Sequence, residues 1–341
     1  MINYSRLFLV VVSLVLLAHG YVHQCELGTD PTVCSLWNFS YRKKDNLPSV
    51  NIPSSVKKVH IKKENYYYRY LAIDVYDSVL HSTILRNPSS VQIDYNHIDT
   101  LHMPTDLQIG EFQYNLIADV LTNSSLSYAV TYLDLRYNTI TNIINLSALL
   151  NLKTLNLEGN LIREVKGTTF ASMQNLSMLY LGVNSIQKLD FKGFPKALTE
   201  LWLFDNRLTD LNLDDVFLPA LAVLDLRRNF LKTIDLKAVF VDLPGLQFLP
   251  IARNQFEEDE ANRIITELNQ HNVSHYYGLL KADCSAPDEF EVSNICLRVA
   301  TEPHQEIGKS IWKALVLLVF GVILVGMFVG SLRWIWYQFR Y

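Results

Sequence analysis

One spacing of apolar residues recurs through the middle of the chain. Apolar side chains stand at positions 1, 4 and 6, an Asn at 9 and an apolar residue at 11. The pattern reads Val130, Leu133, Leu135, Asn138, Ile140, then Leu152, Leu155, Leu157, Asn160, Ile162. It returns as Leu176, Leu179, Leu181, Asn184, Ile186, and as Leu198, Leu201, Leu203, Asn206, Leu208. Leu221, Leu224, Leu226, Asn229, Leu231 and Leu246, Leu249, Ile251, Asn254, Phe256 complete six copies, starting 22 to 25 residues apart. Upstream the pattern is worn. Val91, Ile93, Asn96 and Ile98 fit; Leu107, Phe112, Asn115 and Ile117 fit with Gly110 in an apolar slot. Val56, Val59 and Ile61 read as an opening strand without its Asn, and Tyr70 to Leu85 reads as a helix.

Positions 4 and 6 alternate inward on a short strand, so the residues between them face outward. A unit this small cannot bury its apolar side alone, and units of fixed period stack into a shared core. The Asn stands where the chain leaves the strand. Its amide offers two donors and an acceptor to backbone groups of neighbouring turns that burial would otherwise leave unpaired. The fold class expected is an α/β solenoid: a leucine-rich-repeat horseshoe of about nine repeats over 56–256, with a parallel concave sheet. Phe170 and Phe240 are expected to fill its convex side. Such a stack exposes apolar core at both ends unless capped. Residues 21–55 and 257–300 are read as the caps, with a helix from Glu258 to Gln270 whose acidic start suits the helix dipole.

Both ends of the chain are more apolar than the middle. Arg6 precedes an apolar run from Leu7 to Leu17 and the small-x-small Ala18-His19-Gly20, the layout of a signal peptide cleaved after residue 20. A membrane anchor or buried strand is the rival. The run falls short of the roughly 20 helical residues that cross a bilayer. Ala314 to Leu332 is free of charge, with Trp312, Trp334, Trp336 and Tyr337 at its edges, as in a transmembrane helix. A lipid-anchor signal would want a polar spacer that is missing here. The expected order is a juxtamembrane linker over 301–313, one C-terminal transmembrane helix over 314–332 and a short cytoplasmic tail over 333–341. The ectodomain then lies outside the plasma membrane. Gly326 and Gly330 have the spacing that lets two helices approach closely, though such glycines are also ordinary membrane-helix composition.

Hydrophobic residues make up 49% and charged ones 19% of 341 residues, enough for a large core, and a net charge of −4 gives no reason to expect nucleic acid. Cys25 and Cys34 lie near the start, Cys284 and Cys296 before the apolar tail. An oxidising compartment permits disulfides, and sequence separation favours one bridge at each end, each pinning a cap, over the other pairings. A zinc site would want tighter spacing and nearby histidines.

The repeats resemble those of extracellular animal leucine-rich-repeat proteins, and more narrowly the insect, mosquito-type leucine-rich-repeat immune proteins. That resemblance implies humoral defence, with binding of pathogen surfaces or of complement-like thioester proteins. The chain departs from it in lacking a heptad region after the repeats. Glu257 also stands where many such caps place a Cys.

Binding side chains are expected at the variable concave positions: Tyr132, Tyr137, Met178, Tyr180, Trp202 and Phe204, then Asp205, Asp225, Arg227, Arg228 and Arg253. Aromatic and Arg residues are the usual hot-spot types; the bland reading is that they pack on strand neighbours. The first strand's Lys57, Lys58, His60, Lys62 and Lys63 read as a solvated basic face, with a glycan or phosphate site as the alternative. Asn38, Asn123, Asn145, Asn175 and Asn272 are N-glycosylation sequons. Nucleophile-elbow, phosphate-loop and zinc-protease motifs are missing from the sequence. His271 and His275 have a metal-ligand spacing but no evident third ligand, so neither metal nor cofactor is expected. The expectation is a binding protein rather than an enzyme, an innate-immune receptor or co-receptor for a protein or pathogen-surface ligand. A cell-adhesion or target-recognition protein is the alternative.

Overall fold

The computed structural model describes residues 22–43, 47–63, 73–276, 284, 286–292 and 295–299. The signal-peptide segment, the juxtamembrane linker, the span 314–332 with Gly326 and Gly330, and the tail lie outside the described residues. Among the described residues no helix is long and apolar enough to cross a membrane. The chain divides into two units, Met1–Arg298 and Val299–Tyr341.

Ten strands form one sheet among the described residues of the first unit. β1 (Glu26–Leu27) pairs antiparallel with β2 (Val33–Trp37). Then come β3 (Lys58–Lys62), β4 (Ser90–Ile93), β5 (Ile109–Glu111), β6 (Tyr132–Asp134), β7 (Thr154–Asn156), β8 (Met178–Tyr180), β9 (Glu200–Trp202) and β10 (Val223–Asp225), each parallel to the one before. The register follows the repeat. Val59, Val91, Gly110, Leu133, Leu155, Leu179, Leu201 and Leu224 form one row across the sheet. Apart from the glycine, each is fully buried, and each such side chain stabilises the stack by about 1.5–3 kcal/mol. Gly110 is small because Phe112 is large: a Cβ there would stand 2.8 Å from the Phe112 ring and 3.0 Å from Leu133.

The Asn row closes the backbone accounts. Asn138 Nδ2 donates to the carbonyls of Leu135 and of Phe112 in the preceding turn, each at 2.9 Å, while Oδ1 accepts from Ile117 N at 3.0 Å. Asn160, Asn184, Asn206, Asn229 and Asn254 repeat these three bonds. The residue before each Asn turns left-handed, from Tyr95 and Tyr114 through Tyr137, Gly159 and Val183 to Asp205, Arg228 and Arg253. That conformation costs an ordinary side chain about 1–2 kcal/mol, and the Asn bonds hold it in place.

On the convex side Phe170 is buried and stacks on Phe194 at 5.5 Å. Phe240 lies in α1 (Leu236–Asp242), whose first amides are capped by Asp235. The helix expected over Tyr70 to Leu85 is not formed as such. Val75–Tyr76 is a strand of a second, three-stranded parallel sheet, and among the described residues of that span only Val79–Ile84 is helical, as one π-turn. Val75 and Tyr76 are both buried and pair with Thr100 and Leu101, a sheet partner that outweighs local helical periodicity.

The sheet begins with the N-terminal hairpin itself, β2 pairing with β3 along its whole length, and Cys25–Cys34 joins the two hairpin strands. At the other end α2 (Glu258–Gln270) buries Ala261, Ile264, Ile265 and Leu268. Beside it β11 (Glu289–Val292) and β12 (Ile295–Arg298) form a hairpin joined to Cys284 by Cys296.

Candidate recognition face on the concave sheet

Positions 3, 5 and 7 of each repeat face away from the core, and the parallel register aligns them into three rows. Read across the sheet, these rows divide into basic, acidic and aromatic zones.

In the basic zone the groups differ in how their charge is met. Lys58 Nζ pairs with Glu111 at 2.6 Å, two strands away. Burial, with Lys62 and Lys58 nearby, pushes His60 down to about 4, so its ring is neutral at pH 7. Lys62 Nζ lies 5.2 Å from the centre of the Trp37 ring. The first strand is therefore not the evenly solvated face that composition suggests.

The acidic zone is Asp94, Glu111 and Asp134. Burial raises the carboxyls of Asp94 and Asp134 above the usual range. Arg136 answers them, its guanidinium 3.1 Å from Asp134 and 2.5 Å from Gln113 Oε1. Sequence reading did not single these residues out, because what brings them together is pairing between distant repeats.

The aromatic zone gathers Tyr132, Met178, Tyr180, Trp202 and Phe204, all half-buried. Trp202 stacks on Tyr180 with centroids 5.8 Å apart, and its Nε1 donates to Glu200 at 3.0 Å. The Phe204 ring lies across Gly182, where a Cβ would collide with it, and the Arg227 guanidinium stands 5.8 Å from its centre. These rings pack on strand neighbours and still present one side to the open face.

The remaining expected contacts separate. Asp225 is wholly buried and holds Arg227 at 2.6 Å, and Asp205 pairs with Arg228 at 3.1 Å. Arg253 belongs to the cap: its N–H donates to Cys296 and its guanidinium pairs with nearly buried Glu289 at 2.9 Å. Asp225 is covered on the face by Arg227, and Arg253 is bound to the hairpin of the cap. Tyr137 sits at the rim, in the left-handed turn, rather than on the strand. It ends a stack with Tyr114 and Tyr95. Those two could have been found, since each directly precedes a repeat Asn.

Of the sequons, Asn123, Asn145, Asn175 and Asn272 are exposed and Asn38 is half-buried. Asn145 and Asn175 donate to the carbonyls of Val120 and Leu150. His271 stacks on Phe240 and His275 is buried. Among the described residues no group of three His, Cys, Asp or Glu gathers as a metal site.

A model of the Leucine rich repeat family matches residues 150–208 and 196–256. Over 43% of its length the chain is 31% identical to the human "Leucine-rich repeats and immunoglobulin-like domains protein 1", of which it spans 14%. Among solved structures, the LRIM1/APL1C complex matches with a TM-score of 0.52 at 18% identity, covering 82% of this chain and 52% of that one. The leucine-rich repeat domain of APL1B matches with a TM-score of 0.53 at 19% identity, covering 74% of this chain and 76% of that one. At such identities the likeness is one of fold. Residues 150–256 thus carry leucine rich repeats, and the solenoid resembles in fold those of the LRIM1/APL1C complex and of APL1B.

Proposed function

We propose that this protein is a cell-surface recognition protein that binds a protein or pathogen-surface ligand on its concave sheet. It acts in innate immunity as a receptor or co-receptor. The observation that carries this is the aromatic zone: Tyr180, Trp202 and Phe204 are braced by Glu200, Gly182 and Arg227 on three adjacent strands. Braced rings lose little freedom on binding, which is what a hot spot requires. The immune assignment leans on fold resemblance to LRIM1 and APL1B and is an analogy of fold. The span 314–332 holds the protein in the plasma membrane in this reading, and Gly326 and Gly330 offer a face to a second helix. No nucleic acid, metal or cofactor enters it.

Affinity capture with the full chain, wild type against Trp202→Ala/Phe204→Ala, tests the reading. A captured protein or pathogen-surface partner should bind the double variant at least tenfold more weakly, about 1.4 kcal/mol, at unchanged melting temperature. Equal binding removes the aromatic zone as the site. The second reading is a cell-adhesion or target-recognition protein. Expressing cells that cluster with one another or with a partner line would decide for it.

A further inference from the structure

At the far end of the same sheet lies a small cleft of about 250 Å³, lined by Trp37, His60, Lys62, Lys63, Asp94 and Tyr95. Its construction differs from that of the aromatic zone. Trp37 is 41% exposed, an unusual state for an indole, and its Nε1 is tied to Glu26 at 2.5 Å, which fixes the ring. Two ammonium groups face the cleft without a carboxylate partner among the described residues. Lys62 lies over Trp37, and Lys63 reaches only the Tyr95 carbonyl at 3.4 Å. Asp94 spends one oxygen on Gln92 at 2.8 Å, while Oδ1 is buried with no hydrogen-bond partner among the described residues. His60, uncharged at neutral pH, can donate and accept.

A fixed indole offers a platform for the C–H face of a sugar ring. A neutral imidazole suits its hydroxyls, and ammonium groups without a carboxylate partner select an anionic substituent. We propose that this cleft binds an anionic saccharide, a sugar unit bearing a carboxylate or sulfate. The ring lies against Trp37, a hydroxyl meets His60, and the acidic group meets Lys62 and Lys63. A neutral sugar would leave the ammonium groups unanswered. A bare phosphate or sulfate would leave Trp37 unused and face Asp94 at close quarters. The cleft lies six strands from Trp202, so it is a site separate from the aromatic zone, and neither depends on the other.

The test uses the purified full chain in a Ser40→Ala background, which removes the Asn38 sequon and with it any glycan of the chain's own beside the cleft. Calorimetric titrations use a heparin-derived tetrasaccharide (sulfated), a hyaluronan tetrasaccharide (carboxylated) and chitotetraose (neutral). At least one charged tetrasaccharide should bind saturably, and chitotetraose at least tenfold more weakly; which charged one binds better identifies the acidic group. Lys62→Gln/Lys63→Gln and Trp37→Leu should each weaken that binding tenfold or more, with melting curves near wild type. Trp202→Ala/Phe204→Ala should leave it unchanged, which separates this site from the recognition reading above. No saturable binding of either charged tetrasaccharide overturns the proposal. So does equal affinity in the lysine variant, or a folded Trp37→Leu chain that binds as tightly as wild type. Should Trp37→Leu fail to fold, the lysine variant decides alone.

Discussion

Tyr114 lies flat on Tyr137, ring centroids 4.7 Å apart and planes 6° from parallel. Tyr95 continues the stack on the other side at 4.4 Å. The stack exists because all three occupy the left-handed turn before the repeat Asn, so strand pairing sets them one strand spacing apart. It ends at Gly159, which holds the same turn at φ +67° with the Tyr137 ring packed where its Cβ would be. Gly159→Ala should therefore lower stability by more than the roughly 1–2 kcal/mol of the backbone conformation alone, because the tyrosine must also move. Thermal melts followed by near-ultraviolet circular dichroism check both parts. An unchanged melt with an unchanged tyrosine signal would refute the packing described.

The Asn row predicts a steep loss for a change of small volume. Asn160→Leu leaves Ile140 N and the carbonyls of Leu135 and Leu157 without their side-chain partner inside the stack. Each buried group left unpaired costs about 1–3 kcal/mol. Asn142→Ala, at an exposed turn where the side chain caps only Ile144 N, should cost far less. Denaturant melts of the two variants give the comparison, and similar losses would count against the ladder as the stabilising element.

His60 makes stability depend on pH. Its folded-state value near 4 lies below its ordinary 6.5, so the unfolded chain takes up a proton first as pH falls. The contribution is complete above about 6.5 and is lost progressively as pH drops toward about 4. His23, His81 and His275 are lowered by burial as well and act in the same direction. His60→Gln should accordingly flatten the melting temperature between pH 6.5 and 4 in part. A profile parallel to that of wild type would show that His60 is not held neutral.

Much of the fold was legible because it is local and repeated. Leu133, Leu155, Leu179, Leu201 and Leu224 recur at one phase, and a residue with that period has only one way to sit in a stack. The Asn row followed from the same phase, and the cap helix from Glu258 to Gln270 from its acidic start and apolar face. The helix expected from Tyr70 failed because Val75 and Tyr76 found strand partners far along the chain. Their periodicity said nothing about that.

The face was less legible, for a physical reason. Sequence determines which residues point out of the sheet, since alternation along a strand is a local property of the backbone. It does not determine what each one meets there, because neighbours across the sheet come from repeats 20 or more residues away. Trp202, Tyr180 and Phe204 were recognisable by type and lie where expected. Only the tertiary structure decided that Lys58 would be neutralised by Glu111, that Asp225 would be covered by Arg227 and that Arg253 would be given to the cap. It alone also brought Trp37, His60, Lys62 and Asp94, from β2, β3 and the turn after β4, around one cleft. Periodicity thus set the scaffold, and parallel pairing of distant repeats set the chemistry it displays.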